Sequence, residues 1–240
     1  MYCLTFDVDW APDPVIEDTL SLLERAGGGV RATFFATHAS AALRDAAAEG
    51  HEIGLHPNFS HAVESDYRGI LTSLLEHFPD ARGSRSHKYI TGSPVVKLLG
   101  ELGFLYDSNV VVLGSDGLCP WRHWNGLVCV PVAWGDYMML QRPGRWQLPR
   151  AAADGPHFRC VVLNLHPVHV FLNTTSLAHY ACAKNAYLEP RRLAGFRAEG
   201  TPGVRTFLES FLHDVTKRQA QIITAAEVAS RFLHEQDCAP

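Results

Sequence analysis

The chain has 240 residues, of which 47% are hydrophobic and 19% charged, enough apolar material for a sizeable core at a length suited to one α/β barrel. A formal net charge of -4 leaves no basic footprint for nucleic acid or an anionic membrane, and no uninterrupted apolar run is long enough to span a bilayer. The first nine residues read as an acid-bearing strand, not a secretory leader. Six cysteines without a CxxC pair read as mostly reduced, part-buried thiols, so a cytoplasmic protein is expected.

Residues 2–9 alternate, with Leu4, Phe6 and Val8 on one side of a predicted strand and Thr5, Asp7 and Asp9 on the other. Both acids therefore point the same way, Asp7 lying about 6.6 Å back along the strand from Asp9. Pro12 and Pro14 open a helix with Ile16, Leu20 and Leu23 on one face, stopped by Gly27-Gly28-Gly29. A strand over 31–35, a helix over 41–49 ended by Gly50 and a short strand over 52–55 lead into His56-Pro57. A helix over 67–78, a short strand over 82–86 and a helix over 94–102 follow. Residues 105–134 are rich in glycine, tryptophan and turn formers, and their β character is open. Residues 160–165 form a buried strand ending at His166-Pro167. The stretch 171–200 has little periodicity and reads as a long functional loop with helical pieces. A helix opened by Pro202, a strand over 221–224 and a helix over 225–233 close the chain. Strands alternating with helices predict a parallel sheet, and with no linker or repeat a single domain over 1–240 is expected.

In a (β/α) barrel, side chains at the carboxyl ends of the strands converge on one mouth. Three predicted strands here end in Asp7-Val8-Asp9, in His56 and in His166. One Asp with two His suits a divalent metal that favours nitrogen and oxygen ligands and keeps positions open for water or substrate. Such an ion acidifies water and polarises a carbonyl, leaving the protein to supply a base and an acid.

At these residues the chain resembles the polysaccharide deacetylases, the NodB-like carbohydrate esterases of the family 4 type. Thr5-Phe6-Asp7-Val8-Asp9 resembles their T-F-D-D motif with one residue inserted between the acids, and Gly50-His51-Glu52-Ile53-Gly54-Leu55-His56 resembles their G-H-E-I-G-x-H stretch. Arg85-Ser86-His87 stands where the family has an R-x-P loop, and Leu163-Asn164-Leu165-His166-Pro167 is similar to its closing L-x-x-H motif. Tyr106-Asp107-Ser108 and residues 131–136 also have a family look. His56-Pro57-Asn58-Phe59 and Arg85-Ser86-His87 are closest in pattern to the WbmS-like branch found in surface-polysaccharide gene clusters.

The resemblance implies a distorted (β/α) barrel of about seven strands. It implies a hydrolase acting on a carbon–nitrogen amide bond, which removes an N-acyl, usually N-acetyl, group from an amino sugar or related small glycosidic substrate. By position, Asp7 matches the base, Asp9 and His56 match metal ligands, and His166 matches the acid that protonates the leaving amine. Arg85 would hold the base carboxylate, Leu165 would wall the acetyl pocket, and the metal would be Zn2+, with Co2+, Ni2+ or Mn2+ as alternatives.

Two departures leave choices open. The family's second metal histidine comes four residues after the first, but here Ser60 holds that place and His61 is one step late. A five-residue step does not put two rings on one helical face, so His87 is preferred as third ligand, with His61 as the alternative. The inserted Val8 leaves open which acid binds metal and which is the base. His51 precedes its strand and reads as structural, and His169, three residues after His166, is not expected to touch substrate. Trp10, beside Asp9, is the tryptophan best placed to stack on a sugar ring, though a tryptophan is ordinarily core. A metal-free hydrolase, a non-catalytic carbohydrate-binding relative on the same fold, and a metal-dependent isomerase or aldolase are the rival readings.

Overall fold

The computed structural model describes residues 1–27, 29–114, 117–142, 146 and 158–237. Among these, ten strands occur: β1 (Tyr2–Asp7), β2 (Thr33–Ala36), β3 (Glu52–Leu55), β4 (Gly83–Ser84), β5 (Tyr106–Asp107), β6 (Trp121–Arg122), β7 (Val128–Cys129), β8 (Trp134–Gly135), β9 (Val161–Leu165) and β10 (Ile222–Ile223). The helices between and after them are α1 (Asp13–Arg25), α2 (Ala41–Ala48), α3 (Tyr67–His77), α4 (Ser93–Glu101), α5 (Asp136–Leu140), α6 (Pro167–Leu172), α7 (Leu177–Ala183), α8 (Pro190–Ala194), α9 (Val204–Lys217) and α10 (Ala225–Asp237).

The strands form one sheet in the order β6-β7-β5-β4-β3-β2-β1-β9-β8, parallel throughout except for β6 against β7, and curled into a half-barrel. β1 is the hub. It pairs with β9 through residues 2–6, while on its other edge it pairs with β10 at Tyr2 and Cys3 and with β2 from Thr5 onward. The NodB-type α/β architecture is as the resemblance implies, but the expected count of about seven strands is too low. Six of the ten strands are two residues long. A two-residue strand has no period to read, which is why 105–134 looked ambiguous.

The alternation read in β1 separates two apolar layers on the sheet's two faces. Leu4, Phe6, Phe34 and Leu163 join the layer packed on α1, where Ile16 and Leu23 are buried. Cys3, Phe35, Tyr106 and Val162 join a second layer closed off by Val228 and Phe232 of α10. Thr5 and Asp7 share the face of Cys3, so β1 runs from an apolar interior to a polar rim within one strand. Two glycines make this interior fit. A Cβ on Gly54 would lie 2.7 Å from ring carbons of Phe35, and one on Gly83 would overlap the ring of Tyr106. Parallel pairing then delivers residues 7–10, 56, 85–89 and 164–166 to one rim, at the carboxyl ends of the strands.

Candidate active site

Asp9, His56 and His87 bring one ligand atom each into a common cluster at that rim. Asp9 Oδ1 lies 3.1 Å from His56 Nε2 and 3.1 Å from His87 Nδ1. His56 is 2% exposed, yet neither of its ring nitrogens has a hydrogen-bond partner. A buried polar atom without a partner costs about 1–3 kcal/mol, so an imidazole with two of them, its Nε2 3.1 Å from a carboxylate oxygen, suits a ligand of another kind. Two imidazoles and a carboxylate are the donor set of a borderline divalent cation. The residues present therefore fit such an ion. Burial would raise the Asp9 carboxyl, but His56, His87 and the charge of His166 outweigh it and hold the group well below the usual carboxylate range.

Asp7 sits one turn of the pleat deeper and is held from two sides. Arg85 Nη1 donates to its Oδ1 at 3.0 Å, and Asn164 Nδ2 donates to its Oδ2 at 2.7 Å. Arg85 is fully buried, and its guanidinium also donates to Thr5 Oγ1, Asn164 Oδ1 and both oxygens of Ser108. Its plane lies 4.3 Å over the ring of Phe35, the ring for which Gly54 makes room. A buried cation is tolerable only with such a complete set of acceptors, which makes Arg85 a rigid clamp on Asp7.

His166 follows β9 directly and caps α6, whose first residue is Pro167. Asp136, the first residue of α5, accepts from the His166 backbone N–H at 2.8 Å and pairs with its Nδ1 at 2.8 Å. A carboxylate only accepts, so Nδ1 carries the proton and Nε2 faces the cluster, 3.7 Å from Asp9 Oδ2. Burial pulls the imidazole down, but Asp136, with Asp9 and Asp7, raises it to about 10. A cation on Asp9 would cancel part of that field. His169 has the opposite fate. Burial dominates and drops it to about 4, with Nδ1 against Thr174 and the ring edge-on to Tyr180.

Backbone strain is concentrated at this rim. Asp9, Trp10, Lys88 and Tyr89 all have φ between 47 and 60°, two consecutive left-handed pairs without a glycine, each beside one of the clustered side chains. The first pair is held by Thr37 Oγ1, which accepts from Trp10 N at 2.8 Å, and by Tyr187 Oη, which donates to Asp9 O at 2.5 Å. This turn lets Asp9 reach the cluster despite the extra Val8. A cleft of about 650 Å³ opens beside it, lined by Asp9, Trp10, His87, Tyr180, Lys184 and Tyr187 among others.

The structure thus gathers Asp7, Asp9, His56, His87, His166 and Arg85 in one place. His61 is exposed and lies outside the cluster. Trp10 is 39% exposed at the cleft, edge-on to His87. Leu165 is fully buried in the layer under the helices, while alternation along β9 puts Asn164 on the face of Asp7. His51 accepts from Ala32 N away from the rim, and Trp134 is core stacked on Phe207. Asp136, Asn164, Tyr89 and Tyr187 were not singled out from the sequence. Only Asp136 carried a signal, an acid closing the 131–136 segment.

A parallel half-barrel whose carboxyl rim joins two carboxylates, a buried arginine and three imidazoles is an architecture of the NodB type. A family model described as WbmS-like polysaccharide deacetylase matches residues 4–184, and the chain belongs to this family. It is 35% identical to a proposed polysaccharide deacetylase involved in O-antigen biosynthesis from Bordetella bronchiseptica, covering 89% of this chain and 90% of that one with a TM-score of 0.76. A proposed polysaccharide deacetylase from Mycobacterium smegmatis has the same fold at 21% identity and TM-score 0.62, over 100% of this chain and 91% of that one. So does a 4-alpha-glucanotransferase from Thermococcus litoralis, at 15% identity and TM-score 0.57, over 97% of this chain and 41% of that one. No curated protein matches.

Proposed function

We propose that this protein is a metal-dependent N-deacetylase that hydrolyses the N-acetyl group of an amino sugar in a surface polysaccharide or its precursor. The observation that carries this reading is the buried His56, its ring nitrogens unpartnered, clustered with Asp9 and His87. A divalent ion held there, zinc by preference, would acidify a water and polarise the acyl carbonyl. The protein's own groups do the rest. Asp7, fixed by Arg85 and Asn164 with lone pairs to spare, takes the proton of the attacking water as its oxygen bonds to the acyl carbon. As the carbon–nitrogen bond breaks, His166 Nε2 delivers its proton to the departing amine, and Asp136 keeps the imidazolium oriented and stable. This division favours Asp9 as ligand, since its oxygens face imidazoles, and Asp7 as base, since its oxygens face a guanidinium and an amide. The relative's link to O-antigen synthesis supports a saccharide substrate.

The test is acetate release from N-acetylated oligosaccharides by wild type and His166→Ala. The variant should keep its metal and lose at least about a hundredfold in kcat. Undiminished turnover by His166→Ala would remove the acid from this scheme.

A further inference from the structure

The hydrogen bonds around Asn164 determine the direction of every proton in that corner of the site. A guanidinium can only donate, so Arg85 Nη1, 2.9 Å away, fixes the Asn164 carbonyl oxygen on its own side. The ion-paired Asp7 carboxylate can only accept, so it takes one Nδ2 proton of Asn164. The second Nδ2 proton goes to Tyr89 Oη at 2.6 Å. Asn164 thus has nothing left with which to accept, and the tyrosine must accept there. Its own O–H proton then has no acceptor among the described residues. The ring is half-buried and packs against the layer that contains Phe35, and a tyrosine hydroxyl carries its proton at neutral pH. Lys88 and Tyr89 reach this position through the left-handed pair that follows His87.

A neutral phenol whose acceptor side is filled, on the same nitrogen as the base carboxylate and two residues from a clustered imidazole, is a prepared donor. We propose that Tyr89 is a catalytic residue whose side-chain hydroxyl donates a hydrogen bond to the substrate's acyl oxygen. The bond strengthens as that oxygen gains negative charge, and no proton leaves the tyrosine. This assignment rests on the deacetylase reading.

The experiment compares zinc-loaded, full-length wild type and Tyr89→Phe on an N-acetylglucosamine oligosaccharide and on its N-thioacetyl counterpart. Sulfur is a weak acceptor, so the hydroxyl matters little to the second substrate. On the N-acetyl substrate the variant should lose about a hundredfold in kcat with KM little changed, and the penalty should shrink to a few-fold on the thioacetyl one. Calorimetry needs no turnover: the variant should take up zinc as wild type does and bind acetate about tenfold more weakly. An equal penalty on both substrates would show that the hydroxyl acts only by supporting Asn164 and Asp7, and would overturn the assignment. Unchanged acetate affinity, or loss of zinc, would do the same. Wild type active on N-acetyl with Tyr89→Phe undiminished overturns the assignment alone. Wild type silent on both substrates overturns the deacetylase reading, and the assignment with it.

Discussion

Two histidines compete for the third place beside Asp9 and His56, and they stand in different surroundings. His87 Nδ1 is 3.1 Å from Asp9, while His61 faces solvent in the turn after Phe59. His87→Ala should weaken zinc binding by at least about a hundredfold in calorimetry and His61→Ala should leave it unchanged; the reverse order would put the ligand set elsewhere. His169 offers a pH test. Its folded pKa of about 4 lies below the ordinary 6.5, so the unfolded chain binds the extra proton first. Its contribution to stability is therefore present above pH 6.5 and lost as pH falls through about 4, on the order of 3 kcal/mol in all. Urea midpoints between pH 7 and 4 should fall more steeply for wild type than for His169→Gln, and parallel curves would contradict the assignment. At this scale Asp9, His56 and His166 were legible because each stands at the end of a predicted strand. Asp136 was not, since the strand before it, β8, is two residues long.

At the scale of elements, the feature that most needs explanation is the rigid, strained pair of turns that bear Asp9 and His87. Left-handed backbone at non-glycine residues costs about 1–2 kcal/mol each, and it persists only where neighbours impose it. Tyr187, in the turn between α7 and α8, is one such neighbour through its bond to the Asp9 carbonyl. Tyr187→Phe keeps the ring that walls the cleft and removes only that bond. Stability should fall by about 1 kcal/mol and the zinc-induced rise in melting temperature should shrink; an unaltered zinc response would mean that the turn holds itself. The sequence predicted a loop with helical pieces over 171–200, and helices α7 and α8 lie there. It could not predict that Tyr187 returns to residue 9, because a contact between residues 178 apart leaves no local pattern.

For the whole molecule, the half-barrel explains why residues far apart in sequence arrive together: parallel pairing of β9, β1, β2, β3 and β4 sets their carboxyl ends side by side. The α/β class was readable from the alternation of strands and helices, and the rim from the residues that end them. The change of partner along β1 and the two-residue strands came from tertiary pairing, which no single segment encodes. The proposed deacetylation needs a metal that works with Asp7 and His166 to release acetate. The direct measurement is acetate release from an N-acetylglucosamine oligosaccharide by protein stripped with chelator and then given zinc in steps. We predict that release stops on stripping and returns in proportion up to one equivalent of zinc. Release that is unaffected by chelation would contradict the account.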